Sequence, residues 1–188
     1  MAITLNGSGG VTGLTALPDS AMSSGSILQV IQQEKVDTWS TTSDFVFSDV
    51  TGLAATITPS SSSNKVLVIV DVIASGNEYT SYLKLLRGST EIANNATGKQ
   101  SNQTNLFSSM VTDKTDANNH GICHLHNRQI LDSPNTTSAV TYKIQSAARN
   151  GNHNAYINRS APDRNDTAEY DLRHTSRIIL MEVAAWAN

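Results

Sequence analysis

The sequence has few charged residues, and none of its basic residues are clustered. Only 15% of the 188 residues are charged, and 13 Lys and Arg against 16 Asp and Glu give a net charge of −3. Nucleic-acid-binding domains usually carry a basic face or stripe that neutralises phosphates. The composition therefore predicts that nucleic acid is not a partner of this chain.

Cysteine and long apolar runs are equally scarce. The single cysteine, Cys123, excludes an internal disulfide and a metal site built from several cysteines. No segment approaches the ~20 apolar residues that cross a bilayer, and the first residues lack the basic and apolar regions of a secretory signal. We expect no membrane insertion, and synthesis and folding in a cytoplasm.

The residues that replace charge are Ser, Thr, Asn and Gly, which favour strands and turns. Short strand-like runs separated by turn signals fill the chain from residue 27 onward, which predicts an all-β, antiparallel β-sandwich or jelly-roll-like module. The predicted strands are 27–36, 45–50, 53–58, 65–74, 79–87, 106–112, 121–126, 140–148, 155–158 and 177–184.

The first 26 residues differ from the rest. They contain five glycines, no Lys or Arg, and apolar residues without a regular period. Such a segment does not repay its own ordering entropy. The sequence therefore predicts an extended N-terminal arm over 1–26 that attaches to other proteins, followed by a β-sandwich domain over 27–188. The apolar residues expected to make the attachment are Ile3, Leu5, Val11, Leu14 and Leu17.

Two strands are apolar on both faces, namely 66–73 and 178–183. An antiparallel strand in an isolated sandwich usually has one face in water, so we expect a second copy of the chain to cover these strands. The residues predicted to form this subunit interface are Val66, Val68, Val70, Ile178, Leu180 and Trp186.

Three histidines lie close together at positions 120, 124 and 126. On a strand, His124 and His126 point to the same side, and two neutral imidazoles at that spacing can share a metal ion. The alternative is a surface or interface pair that is structural or pH-sensitive. We predict no metal site, with His124 and His126 as the candidates if one exists.

No motif indicates catalysis or cofactor binding. The chain lacks the Gly-x-Ser-x-Gly elbow, the Walker loop and the dinucleotide-binding glycine pattern. Acidic and basic residues alternate over 159–173, which is more typical of a solvated salt-bridge loop than of a glycosidase carboxylate pair. We expect neither catalytic residues nor a cofactor.

Seven segments carry a resemblance to known proteins: ITLNGS (3–8), GLTALPD (13–19), GSILQVIQ (25–32), DVTGL (49–53), ITPSSSSNKVLV (57–68), LKLLRGSTEI (83–92) and ILMEVA (179–184). The first two segments resemble the start of virion proteins of aquatic and cyanobacterial phages. The later segments resemble the globular modules of phage tail fibres. The region 118–128, with its histidines, departs from this pattern.

The resemblance implies a homotrimeric, jelly-roll-like module on the exterior of a virion that is assembled in the host bacterial cytoplasm. Its expected partners are other copies of itself, other virion proteins through the arm, and a host surface glycan. Two alternatives stay open: a capsid decoration protein that stabilises the shell, and a small glycan-cleaving virion enzyme.

Overall fold

The computed structural model shows an all-β chain. It describes residues 22–76, 80–94, 97, 106–111, 123–149, 153–161 and 172–185. Among these residues there is no helix, and hence none with the length and apolarity that a membrane crossing needs. The strands, numbered in chain order, are β1 (Ile27–Lys35), β2 (Trp39–Thr41), β3 (Ser48–Ile57), β4 (Lys65–Gly76), β5 (Thr80–Arg87), β6 (Thr90–Ile92), β7 (Ser108–Val111), β8 (His124–Asp132), β9 (Val140–Ala148), β10 (Ala155–Ile157) and β11 (Ser176–Val183).

The strands form two antiparallel sheets. In the first, sheet A, the neighbours are β1, β11, β4 and β8 in that order. The short strand β10 pairs with β4 beyond the stretch that pairs with β11, and β2 pairs with β10. In the second, sheet B, the order is β3, β9 and β5, and both β6 and β7 pair with β5. The predicted antiparallel β-sandwich of jelly-roll-like form is confirmed.

The core lies between the two sheets and follows from strand alternation. Successive side chains of a strand point to opposite faces, so the even-numbered residues of β4 and β11 point inward together. They meet inward-pointing residues of β3, β5 and β9. The fully buried apolar residues include Leu53, Ile57, Val66, Val68, Val70, Val72, Leu83, Leu85, Tyr142, Ile144, Ile178 and Leu180.

A polar clamp joins the two sheets at one edge. Asp132, at the end of β8, accepts a hydrogen bond from the Tyr142 hydroxyl of β9 at 2.7 Å. Arg87 of β5 donates from Nη1 to both carboxylate oxygens of Asp132, at 2.9 and 2.8 Å. Because Tyr142 has no exposed surface, its hydroxyl depends on this partner. The clamp therefore satisfies a buried polar group while it fixes β8 over sheet B.

Both ends of the described chain leave the sandwich at one pole. The pairing of β1 with β11 places Ile27 opposite Val183. Just outside the strands, Gly25 N donates to Ala184 O at 3.0 Å, and Ala184 N donates to Ser26 O at 2.9 Å. We call this end the entry pole. The opposite end, where β4 reaches Gly76, is the distal pole.

The structure corrects the predicted subunit interface. Five of the predicted residues, Val66, Val68, Val70, Ile178 and Leu180, have no exposed surface in a single chain. Sheet B covers them, so they are core residues and not contacts for a neighbouring subunit. The sixth, Trp186, lies outside the described residues, as do the five apolar residues predicted to make the attachment.

Candidate functional site

The outward-pointing residues of sheet A form regular rows across its four long strands. The row nearest the entry pole is entirely apolar: Val30, Met181, Leu67 and Leu131 are consecutive partners on β1, β11, β4 and β8. Val30 and Leu131 are 54% and 45% exposed, which is high for large apolar side chains. This row is a strip of apolar surface that the described residues leave partly exposed.

The next rows become more polar toward the distal pole. The second row has Ile179 and Ile69 in its centre, with Gln32 and Gln129 at its edges. The third row is charged, and the last contains Ile73 and the exposed Leu125. We call the outward-pointing residues of these rows the outer face of sheet A: Val30, Gln32, Glu34, Leu67, Ile69, Asp71, Ile73, Leu125, Asn127, Gln129, Leu131, Arg177, Ile179 and Met181.

The charged row contains both signs of charge. It consists of Glu34, Arg177, Asp71 and Asn127 on neighbouring strands. Arg177 Nε donates to Asp71 Oδ2 at 2.8 Å, and the Asn127 amide donates to the other oxygen of Asp71. The Arg177 side chain is 51% exposed, so solvent screening limits this pair to at most about 1 kcal/mol. Its exposed guanidinium and the exposed Glu34 leave charges of both signs for an approaching surface.

A shallow depression of about 560 Å³ lies on this face, around the charged row. Side chains from β1, β4, β8 and β11 line it, among them Ile69, Ile179 and Leu125. Its lining thus combines apolar walls with Asp71 and Arg177. Chemically, the outer face of sheet A suits contact with another protein surface that presents both apolar and charged groups.

Sequence reasoning missed this face, although one signal for it was present. Both sides of β4 and β11 are apolar, but the residues predicted for the subunit interface are those of the even-numbered side. The odd-numbered residues Leu67, Ile69 and Ile179 are the ones left half-exposed. Val30 of β1 and Leu131 of β8 also belong to this face, but no sequence pattern around them indicates that they are exposed.

The structure brings His124 and His126 together, as predicted. Their ring centres are 6.4 Å apart, and both point to the side of β8 opposite Leu125, toward sheet B. His124 is exposed, whereas His126 is only 9% exposed. His120 lies outside the described residues. Within the described part of the chain, no group of three or more His, Cys, Asp or Glu residues is arranged to hold a metal ion.

The environment of His126 is unusual for a histidine. Its Nδ1 lies 2.6 Å from Ser108 Oγ of β7, while its buried Nε2 has no hydrogen-bond partner among the described residues. Burial, followed by the nearby His124, lowers the pKa of His126. Burial likewise raises the pKa of the Cys123 thiol, which precedes the same strand. Both groups are therefore held in their neutral forms.

Comparisons with known proteins identify no family for this chain. No protein-family model matches it, and no curated protein matches it. Among solved structures, it is similar to a chain in a structure of the infectious bursal disease virus Gx strain, with 11% identity and a TM-score of 0.34. The match covers 92% of this chain but only 42% of that chain. Similarity at this level carries no argument about function.

Proposed function

We propose that this chain is a non-enzymatic structural module of a phage virion. In this proposal, it is displayed on the particle exterior as a homotrimer, in the manner of the globular modules of tail fibres, and contacts the host surface. The all-β sandwich, the low charge and the resemblance of its segments to tail-fibre modules support this function. The observation that carries it is the outer face of sheet A, which one chain leaves uncovered.

A second copy of the chain is the partner that fits this face. The apolar row, with Met181 and Leu67 at its centre, gains free energy when another surface removes it from water. In a trimer each contact is heterologous, so one part of this face meets a different part of the surface of the neighbouring copy. The charged row presents both a cation, Arg177, and an anion, Glu34, so it can pair with charges of either sign on that copy. The number of subunits, three, comes from the resemblance to tail-fibre modules.

Equilibrium sedimentation of the purified chain at micromolar concentration tests this proposal. The unmodified chain should sediment as a trimer. The double variant Val30→Asp/Leu131→Asp should be a folded monomer, because both side chains are exposed in one chain and carboxylates there would have to be desolvated in an interface. A monomeric unmodified chain would overturn the proposal.

The matched control places two carboxylates on the opposite side of the sandwich. Ala54→Asp/Thr56→Asp alters two exposed positions of β3 in sheet B and should leave the trimer intact. Loss of the trimer in both double variants would indicate a general effect of added negative charge instead of a specific interface.

Attachment through the N-terminal arm is a second part of the proposal. Deleting residues 1–24 retains Gly25 and Ser26, whose backbone bonds to Ala184 close the entry pole. The shortened chain should therefore keep its melting temperature and its trimer, but should no longer enter particles. A shortened chain that unfolds, or that still enters particles, would show that the arm is not the attachment element.

Counting copies per particle separates a tail module from a capsid decoration protein. A tail appendage is present at a few attachment points, whereas a decoration protein repeats over the whole shell. A screen against host polysaccharides addresses the enzymatic alternative, and release of sugar fragments would overturn the non-enzymatic assignment.

A further inference from the structure

The two ring nitrogens of His126 have different surroundings. The ring lies near the distal pole, where β8 pairs with the end of β4. Its Nδ1 contacts Ser108 Oγ at 2.6 Å, and its buried Nε2 has no partner in the part of the chain that the structure describes. Leaving a buried polar atom unsatisfied costs about 1–3 kcal/mol. Within the described residues, no side chain or backbone group offsets that cost at Nε2.

The contact with Ser108 fits either tautomer of the ring, because either atom can be the donor. In the tautomer in which Nδ1–H donates to the Ser108 hydroxyl, Nε2 carries a lone pair and no proton. Metal-binding histidines show this arrangement: the second ring nitrogen donates to a nearby oxygen, which fixes the tautomer and the ring orientation.

His124 supplies a second nitrogen on the same side of the strand. Its ring centre is 6.4 Å from that of His126. With Zn–N bonds of about 2.0–2.1 Å, two imidazoles on one tetrahedral ion have ring centres roughly 5 Å apart. His124 is exposed and can change rotamer, so a small rotation closes the difference. His126 is fixed and His124 is free to adjust.

We propose that His124 and His126 form a binding site for a transition-metal ion of the zinc type. His126 Nε2 and one nitrogen of His124 are the protein ligands, water completes the coordination, and Ser108 is a positioning residue. This inference is independent of the proposed virion function, because it rests only on the inner side of β8 and on β7. It adds an ion site near the pole farthest from the N-terminal arm.

Calorimetric titration with ZnCl₂, after chelator treatment and desalting, tests the site. We expect one Zn²⁺ per chain. His124→Gln and His126→Gln should each weaken binding by at least about tenfold, since even changes to residues that only support a ligand cost about 10–100-fold. His124→Gln changes an exposed side chain and keeps the test valid if His126→Gln fails to fold. Absence of zinc uptake, or unchanged affinity in His124→Gln, would overturn the proposal.

His174→Gln is the matched control. The His174 Nε2 is also buried without a partner among the described residues, but its ring has no second imidazole paired with it there. Zinc affinity should be unchanged in this variant. An equal loss of affinity would place the ion elsewhere and contradict the assignment to His124 and His126.

Imidazole nitrogen NMR gives a readout that does not depend on affinity. In the metal-free chain, His126 should show the Nδ1–H tautomer, and addition of ZnCl₂ should shift its Nε2 resonance. Ser108→Ala should allow a mixture of tautomers and weaken zinc binding without abolishing it. An Nε2–H tautomer in the unmodified chain would remove the lone pair on which the site depends and would overturn it.

Discussion

The outer faces of the two sheets differ in chemistry, although they belong to one sandwich. On sheet B, outward-pointing residues satisfy one another: Asp49 accepts hydrogen bonds from Lys143 and Gln145, both at 2.8 Å, and the hydroxyls of Thr56 and Thr141 are 2.7 Å apart. On sheet A, the corresponding positions carry Val30, Met181, Leu67 and Leu131, which have no such partners.

This difference separates a side whose polar groups pair with one another from a side with exposed apolar residues. The face of sheet B has its own network of polar pairs and loses little by remaining in water. Phe45 and Val46 are exposed at one end of that side, but the Phe45 ring packs against Tyr82 at 4.6 Å. The face of sheet A instead gains free energy only when a second surface covers it. Substitutions on the outer face of sheet A should therefore change self-association, whereas those on the outer face of sheet B should not.

The largest expected effect on the free energy of unfolding comes from one of two consecutive residues of β11. Leu180 points into the core and Met181 points outward. Leu180→Ala should lower the free energy of unfolding by about 2–5 kcal/mol at any protein concentration, because it leaves a cavity. Met181→Ala should have an effect that grows with protein concentration, since oligomerisation stabilises by mass action. Urea unfolding at two protein concentrations checks this, and equal behaviour of the two variants would contradict the division of faces.

Tyr142→Phe tests the clamp that holds the two sheets together. Removing the hydroxyl leaves Asp132 without one of its partners in a largely buried place, and we expect a loss of about 1–3 kcal/mol in the free energy of unfolding. Tyr82→Phe, on the outer side of sheet B, is the control and should change it by less than about 0.5 kcal/mol. A chemical denaturation curve measures both, and equal losses would show that the clamp adds nothing specific.

A smaller effect concerns acid stability through Glu182, which is 1% exposed. Burial alone would raise the pKa of Glu182, but hydrogen bonds from Gln29, Asn64 and Ser60 outweigh it and leave the pKa below its ordinary value of 4.5. A lowered pKa in the folded state means that the stabilisation is present above pH 4.5 and is lost as the pH falls through the lowered value. Glu182→Gln should therefore flatten the acid side of the stability curve.

The control for that experiment again comes from sheet B. Hydrogen bonds from Lys143 and then Gln145 lower the pKa of Asp49, but its side chain is 54% exposed and water screens the effect. Asp49→Asn should change the acid limb less than Glu182→Gln does. Melting temperatures measured from pH 7 to pH 3 would show the difference, and the reverse order would contradict it.

The smallest effect is expected from the exposed ion pair itself. Lys143→Met removes the 2.8 Å contact with Asp49 and should change the free energy of unfolding by less than about 0.5 kcal/mol. Arg177→Met, in the charged row of sheet A, should instead change the salt dependence of self-association. Sedimentation at low and high salt distinguishes the two variants. The same salt dependence in both would show that the outer faces of the two sheets do not differ in self-association.

The sequence was sufficient to predict the class of fold and many strands. The strand 140–148 is confirmed at both ends, and over 140–145 apolar and polar residues alternate. The strand predicted over 121–126 in fact runs from His124 to Asp132. Its second half contains Asn127, Arg128 and Gln129, which hide the alternation because an edge strand exposes polar residues on both sides.

Other differences arise from backbone geometry and from length. The two predicted runs 45–50 and 53–58 are one strand, β3, interrupted by a register shift between Asp49 and Ala54. Gly52, at φ 83°, accommodates that irregularity. The three-residue strands β2 and β6 were not predicted, since such short segments pair only because a longer neighbour is already in place.

The candidate interface could not be assigned from sequence for a simpler reason. Both sides of β4 are apolar, so alternation identifies two equivalent sides and not which of them points inward. Sheet B makes that choice by covering one side of β4, so that Val68 joins the same buried cluster as Leu53, a residue distant in the chain. The burial of His126 could likewise not be predicted from sequence, because the residue that contacts its Nδ1, Ser108, comes from another strand.

The closed entry pole also determines how the module would respond to a mechanical load. The chain that precedes β1 leaves beside the end of β11, and the two strands pair along eight residue positions, from Ile27 to Lys35. Tension between that leading segment and the distal pole acts along β1. The backbone hydrogen bonds between β1 and β11 are then loaded in shear and share the force. In unzipping, by contrast, they would break one after another. A module held by its leading segment and pulled from its far end would thus resist extraction through its first strand.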